Sequence, residues 1–579
     1  MELTWDLSQL YSSEQELNKD IDSLKNLGSR FFDFKDNLKS KEDLLKYYKL
    51  SESFQQLEDK IVSYLFFKKS LDGSDIFAIE KLAELEIYLQ ELANNTTFIT
   101  QSIKKIPNKD LKLWSRLPEF ADYDLAVLDI IKQKKHTLPE AQEKLMISAG
   151  FTVAHGEIFD CLDNVEIKFG KTKDESGKLV ELNQSNLYVL SRSNNKQVRK
   201  AASQKMRKAY KAVNQTLAAN FISHLKYANF EAKAYKYKNT LDMCLTGADL
   251  PAGLPQKVVK NVEKFLPLLH KYYAWRKNFM KLEKFESCDL VCQLFDKQTA
   301  SKYTLQDAIN IIKEALKPLG ADYTNMLDTA ISQNWIDSRY LKNKDSGAYS
   351  ADVYAVHPFI LLTFDQTANS VSTLAHEFGH AMHSYYSEKS QPYAKHNYEY
   401  FVAEVASTVN EILLAEHMIA TAKTKEEKIQ NITEFLNTFL STVFTQTQYT
   451  EFELFVHDSI DKGVPLSYKK LNDFYLSLMK KYCGKEVSVI KETQYNWSYI
   501  PHFYRNFYVF KYVTGFVAAC AIVENLKNDP TYINKYIKFL SAGSSQKPCD
   551  LLKIADVDIL SEKTYQLAMK IFEKYLNLL

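Results

Sequence analysis

The chain has 579 residues, enough for several domains or one large composite body, with 74 Lys and Arg against 72 Asp and Glu. Balanced charge without long single-sign blocks gives no reason to expect nucleic acid or an acidic membrane as partner. Only 15 Gly and 13 Pro exclude collagen-like and turn-rich architectures and point to a mainly helical protein.

The N-terminal residues show no basic segment followed by an apolar core, and no uncharged apolar stretch reaches the roughly 18 residues of a membrane span, so a cytoplasmic protein is expected. Seven scattered cysteines suit a reducing compartment. Cys288 and Cys292 lack the second ligand pair that would close a zinc site, so they read as ordinary thiols. From Glu14 to Ile106 apolar residues recur at three and four, predicting amphipathic helices that include 42–67 and 76–92. Alternation in Val165–Phe169 and Leu179–Leu182, with turn residues 174–177 between, predicts a β-hairpin. Asn194-Asn195 then opens a basic helix, and helices continue to about Leu316. A second β-like region spans Gly347–Phe364. Because Pro358 has no N–H for a central ladder, its strand is expected at a sheet edge, where an extended peptide could add. That places Gly347, Ala348, Tyr349 and His357 among candidate substrate contacts. From Ser370 the pattern is helical to the end. The expected division is 1–110, a helical region; 111–193, helical with the hairpin; and 194–579, the catalytic region.

The segment Leu374-Ala375-His376-Glu377-Phe378-Gly379-His380 contains H-E-x-x-H. With 12 His in the chain a chance match is disfavoured. On a helix His376 and His380 share one face, so their imidazoles can hold one zinc ion, with Glu377 beside them as a base for the attacking water. Two histidines packed on a buried face would give the same spacing. Catalytic zinc usually takes a third protein ligand. His383 shares the face but lies about 10.5 Å further along the axis at 1.5 Å per residue, so it reads as a neighbour that supports the site. Glu404 and Glu411, seven apart in an apolar helical pattern, are the better source. Buried carboxylates are costly unless paired or metal-bound. Glu404 as ligand and Glu411 as acceptor from a ligand imidazole would meet that cost, although two glutamates on a wet helix face fit the same spacing. Near the C-terminus, Tyr504, Tyr508 and Tyr512 are spaced by four, as on one helical stripe, with His502 just before them. Such phenols either pack as core or meet an oxyanion.

These residues together resemble the oligoendopeptidase F branch of the thimet-oligopeptidase-like zinc metallopeptidases. The resemblance rests on Ser346-Gly347-Ala348-Tyr349, His357-Pro358-Phe359, Thr373 to Ser384, Phe401 to Ser407, Ser441 to Thr447 with Glu451-Phe452-Glu453, and Trp497 to Tyr504 with Phe507 to Gly515. It implies a two-lobed helical peptidase with a deep central channel, a small sheet beside the active-site helix, and short peptides as substrates. It also implies one Zn²⁺ on His376, His380 and Glu404, Glu377 as general base, and His502 and Tyr508 as transition-state donors, with Tyr504 and Tyr512 as further substrate contacts. Thr445, Phe510 and Lys511 depart from the family pattern, which bears on subsite preference. Two other readings fit part of the sequence: an exopeptidase with H-E-x-x-H and a downstream Glu, and a non-catalytic peptide-binding protein with structural zinc.

Overall fold

The computed structural model describes residues 2–150, 153–295 and 302–579. Helices dominate it, and the strands form two short pairs and one three-stranded sheet. The chain folds into two compact units. One comprises Met1–His136, Ser301–His417 and Ile522–Val557; the other comprises Thr137–Ala300, Met418–Ala521 and Asp558–Leu579. No helix among the described residues is long and apolar enough to cross a membrane.

In the first unit the predicted amphipathic helices span Glu14–Ser29, Lys41–Leu71 and Ile76–Asn95. Each begins on a polar cap: Ser13 accepts from the N–H of Glu16, Ser40 and Asp43 form a reciprocal capping box, and Asp75 accepts from Ala78. Leu44, Phe54, Ile61 and Leu65 of the second helix lie in the core. Each such side chain contributes about 1.5–3 kcal/mol relative to exposure. Trp5 joins this core to the sheet, lying 5.1 Å from the Phe67 ring and 5.8 Å from Phe359, while its Nε1 donates to the Trp335 carbonyl at 2.9 Å.

The three-stranded sheet has the order Ile336–Asp337, Pro358–Leu361, Tyr349–Asp352. The proline strand is therefore central, which corrects the expected edge position. Pro358 is the first residue of its strand and pairs with Asp352 at the end of the ladder, where a missing N–H is tolerated. The edge strand is instead Tyr349–Asp352, one of the two strands that flank the proline strand. It packs beside the helix Ala368–Ser390, whose Ser384 Oγ donates to Asp352 Oδ1 at 3.2 Å.

The second unit is organised by a long helix, Lys196–Ala234, capped by the Asn195 side chain. Arg199 on this helix is 1% exposed and pairs with fully buried Asp289 at 2.7 Å. The predicted hairpin exists but is displaced: Lys171–Lys173 pairs antiparallel with Leu179–Glu181. Residues Cys161–Glu166 form a π-helical turn instead of a strand, and Ile167 and Phe169 are buried anchors. The turn chemistry fixes the actual register, because Asp174 Oδ1 accepts from the N–H groups of Ser176 and Lys178, and Gly177 takes φ +81°. All seven cysteines are free thiols, and Cys288 and Cys292 are buried.

Candidate metal centre

The helix carrying H-E-x-x-H runs from Ala368 to Ser390 and starts at Thr367, whose Oγ1 accepts from the N–H of Ser370 at 3.2 Å. Leu374, Ala375, Phe378, Ala381 and Met382 are fully buried, which fixes the rotation of the helix. His376 and His380, one turn apart, keep 27% and 18% of their side chains exposed. Against this helix lies a second, Tyr400–Ala420. The backbones approach so closely that a Cβ at Gly379 would stand 2.6 Å from Ser407 Cα and 2.7 Å from the Ala406 carbonyl oxygen. Asn410 ties the pair together, donating to the Ala375 carbonyl at 3.0 Å and accepting from the Tyr323 hydroxyl at 3.1 Å. Neither end of the Asn410 amide is left unpaired.

Close approach brings three ligand atoms together. His376 Nε2 and His380 Nε2 are 3.2 Å apart, and Glu404 Oε2 lies 3.5 Å from the first and 3.4 Å from the second. A tetrahedral ion bonded at about 2.0–2.1 Å sets its ligand atoms about 3.3–3.4 Å apart. The three distances therefore match those between ligand atoms that one such ion would hold. Among the described residues this is the one group of three His, Cys, Asp or Glu with metal-binding proximity.

The surrounding groups orient these ligands. Glu411 Oε1 lies 3.3 Å from His376 Nδ1, and Ser407 Oγ donates to Glu404 Oε2 at 2.9 Å. Burial lowers the proton affinity of His376, but Glu411, then Glu377 and Glu404, outweigh it and push the pKa up to about 9. Burial opposes ionisation of Glu404, yet the two imidazoles and Ser407 hold it down to about 2. Glu377 is 6% exposed, and burial raises its pKa against the opposing influence of His376 and His380. A carboxyl with raised proton affinity beside a metal site is equipped to take a proton and release it again. His383 does not join the triangle. It stacks on Tyr398 at 3.7 Å, and burial, with the nearby His380, lowers its pKa to about 3.

Of the remaining candidates in the first unit, Gly347 and Ala348 immediately precede the edge strand, and Tyr349 begins it. The Tyr349 ring packs 5.4 Å from Phe66 and 6.3 Å from Trp5. His357 is 6% exposed, stacked on Trp335 at 5.2 Å, with Nε2 2.9 Å from Gln9 Oε1.

In the second unit the expected helical stripe of tyrosines is not formed. Pro501–Tyr504 is a 3-10 turn, Phe507 adopts φ +54°, and the next helix starts only at Phe510. Glu453 stabilises this break by accepting from the Phe507 N–H at 2.9 Å. The result groups His502 with Tyr508 and Tyr512, at ring separations of 6.2 and 5.8 Å, and the Tyr512 hydroxyl is 3.4 Å from His502 Nε2. Tyr504 points elsewhere, accepting from Asn220 at 3.2 Å and packing on Phe159. The sequence placed Gly379, Ser407, Asn410 and Glu453 in the segments singled out above but assigned none of them a role. Only Gly379 carried a signal, since a glycine inside a helix costs about 1 kcal/mol and calls for a packing reason.

Residues 189–571 match Peptidase family M3, and residues 103–169 match Oligopeptidase F. Oligopeptidase PepF of Bacillus subtilis is 34% identical over 99% of this chain and 86% of its own length. The plasmid oligoendopeptidase F of Lactococcus lactis subsp. cremoris is 31% identical over 99% and 96%. Among solved structures, a candidate peptidase from Chlamydophila abortus superposes with a TM-score of 0.93 at 29% identity, covering 99% of this chain and 97% of that one. Oligoendopeptidase-F from Enterococcus faecium gives 0.74 at 27% identity, covering 98% of each. With two imidazoles and a carboxylate converging on one point in a chain so matched, the protein belongs to peptidase family M3, in its oligoendopeptidase F branch, and is a metallopeptidase.

Proposed function

We propose that this protein is a zinc-dependent endopeptidase acting on internal bonds of short peptides. The triangle of His376, His380 and Glu404, with Glu377 on the next residue of the same helix, carries the reading. Two imidazole nitrogens and one carboxylate oxygen at tetrahedral edge lengths suit zinc, and an incomplete coordination set suits a catalytic site better than a structural one. Zinc bound there would polarise the scissile carbonyl and bring the pKa of water towards about 7. Glu377 takes the proton from the attacking water and returns it to the leaving nitrogen. Glu411 holds the His376 ring in orientation, and Ser407 holds the Glu404 carboxylate.

His502 and Tyr508 are the donors to the developing oxyanion in this reading, on the strength of the family resemblance. The substrate backbone pairs with the edge strand Tyr349–Asp352 and the residues before it, which explains tolerance of varied sequences. Free cysteines suit a reducing cytoplasm.

Peptides blocked at both termini, incubated with and without a chelator and analysed by mass, test the proposal. Cleavage at internal bonds is expected, abolished by chelation and restored by zinc. Blocked peptides left intact while unblocked ones are trimmed would indicate an exopeptidase. Chelation that unfolds the protein, with no hydrolysis beforehand, would indicate structural metal in a binding protein.

A further inference from the structure

The second unit contains a cavity of about 400 Å³ to which no role has yet been given. That volume is within the range of roughly 300–1,000 Å³ found for small-molecule sites. Its walls come from the helix Lys196–Ala234, the segment 287–291, the π-helical turn Leu440–Thr445 with the helix after it, and residues 475–499. Phenol rings and apolar side chains make up most of the surface, among them Met206, Leu269, Tyr449, Tyr475 and Tyr499.

Three polar side chains in this wall lack adequate partners. Arg207 is 5% exposed, yet no carboxylate among the described residues pairs with it. Its Nε has no hydrogen-bond partner, and its Nη2 reaches only Ser287 Oγ, at a long 3.4 Å. Of the acids near it, Glu492 is exposed and forms no ion pair with it, and the others are committed elsewhere. Asp289 is paired with Arg199 at 2.7 Å, Glu286 with Lys200 at 2.8 Å and Lys284 at 3.2 Å, and Asp163 accepts from Tyr210 at 2.5 Å and Gln184 at 3.0 Å. Burial lowers the Arg207 pKa, and Tyr499, Cys288, Glu492 and Glu286 offset it only in part. Gln448 Nε2 has only the Met479 thioether, a weak acceptor, at 3.2 Å. Asn496 is 9% exposed and its Oδ1 is buried without a donor.

A buried, unpaired guanidinium is costly to keep and is a poor structural element. One cation whose planar fork matches a carboxylate, a spare N–H donor and an orphaned acceptor are together complementary to a carboxylate with an adjacent amide N–H. We infer that this cavity binds the carboxylate end of an N-acylated amino acid or short peptide: the carboxylate on Arg207, the amide N–H on Asn496 Oδ1, and a large apolar or aromatic side chain among the tyrosines. A single positive charge favours a monoanionic carboxylate over a phosphate dianion. The site is independent of the peptidase reading, since binding alone reports it.

Calorimetric titration of the full-length protein with N-acetylphenylalanine, N-acetyl-Ala-Ala-Phe and the C-terminal amides of both tests the inference. Both acids should bind and both amides should bind at least about 10-fold more weakly, the loss expected on removing a charged hydrogen-bond partner. A tighter tripeptide acid identifies a peptide end as occupant, and equal affinities identify the small acid. Arg207→Met should weaken the acids by about 10-fold or more without lowering Tm, because it removes a buried unpaired charge. Arg207→Lys, which keeps charge but loses the fork, gives the same comparison if Arg207→Met does not fold. Equal binding of acid and amide, or binding unaffected at Arg207, overturns the proposal. So does binding that chelator abolishes and Arg207→Met leaves intact, which would place the acid at the metal centre.

Discussion

Glu377→Gln should bind metal as the parent does and lose turnover by about 10³-fold, within the 10²–10⁴-fold range of general acid–base catalysis. The substitution preserves size and removes the only group proposed to move the proton. No Lys or Arg lies within ion-pair distance of Glu377 among the described residues, so no structural ion pair is lost. Its charge is favoured by the His376 and His380 imidazoles and opposed by burial and by Glu404 and Glu411, so these influences largely offset one another and Tm should stay close to that of the parent. The measurement is kcat on a blocked peptide alongside metal content and Tm. Near-parental kcat with full metal occupancy would remove Glu377 from the mechanism.

Gly379→Ala should unfold more easily and bind metal more weakly, against the direction set by helix propensity. In an open helix interior, alanine would stabilise by about 1 kcal/mol relative to glycine. Here the added Cβ meets backbone atoms Ser407 Cα, Ala406 O and Ser407 N at 2.6–2.8 Å, and backbone cannot rotate aside as a side chain can. Overpacking of this kind costs about 1–3 kcal/mol. The strain falls between the helix bearing His376 and His380 and the helix bearing Glu404, so widening the gap spoils the ligand triangle. A fall in metal affinity of about 10–100-fold is expected, comparable to removal of groups that orient metal ligands. Metal-competition titration and thermal melting report the two effects. A higher Tm with undiminished affinity would mean that the helices do not depend on this glycine.

The convergence of His376, His380 and Glu404 was legible because its geometry is mostly local. Helical spacing alone sets His376 and His380 on one face with Glu377 between them in sequence, and the apolar residues around Glu404 and Glu411 mark where that helix turns inward. The distance from Glu404 to the histidines is not local; it depends on Gly379 admitting the second backbone. The second unit's tyrosines show the opposite case. A spacing of four suggested one stripe, but the Phe507 conformation is held by Glu453, a residue 54 positions earlier on another helix. No window around Tyr508 contains that constraint.

The two strand errors share a cause. Alternation marked Val165–Phe169, yet Ile167 and Phe169 are buried without a ladder, and the turn at Asp174–Gly177 pairs residues beyond them. Pro358 obeyed the rule that proline avoids a ladder donor, but did so as the first residue of a central strand. In both cases a local preference was correct and the tertiary pairing chose among its solutions.

The central claim is that one zinc ion is held by His376, His380 and Glu404. Diffraction from crystals of the purified protein on either side of the zinc absorption edge tests it most directly. The account predicts a single zinc-specific anomalous peak at about 2.0–2.2 Å from both Nε2 atoms and from a Glu404 carboxylate oxygen. A peak on other residues, or fully occupied imidazoles with Glu404 turned away and no zinc-specific signal, would contradict it.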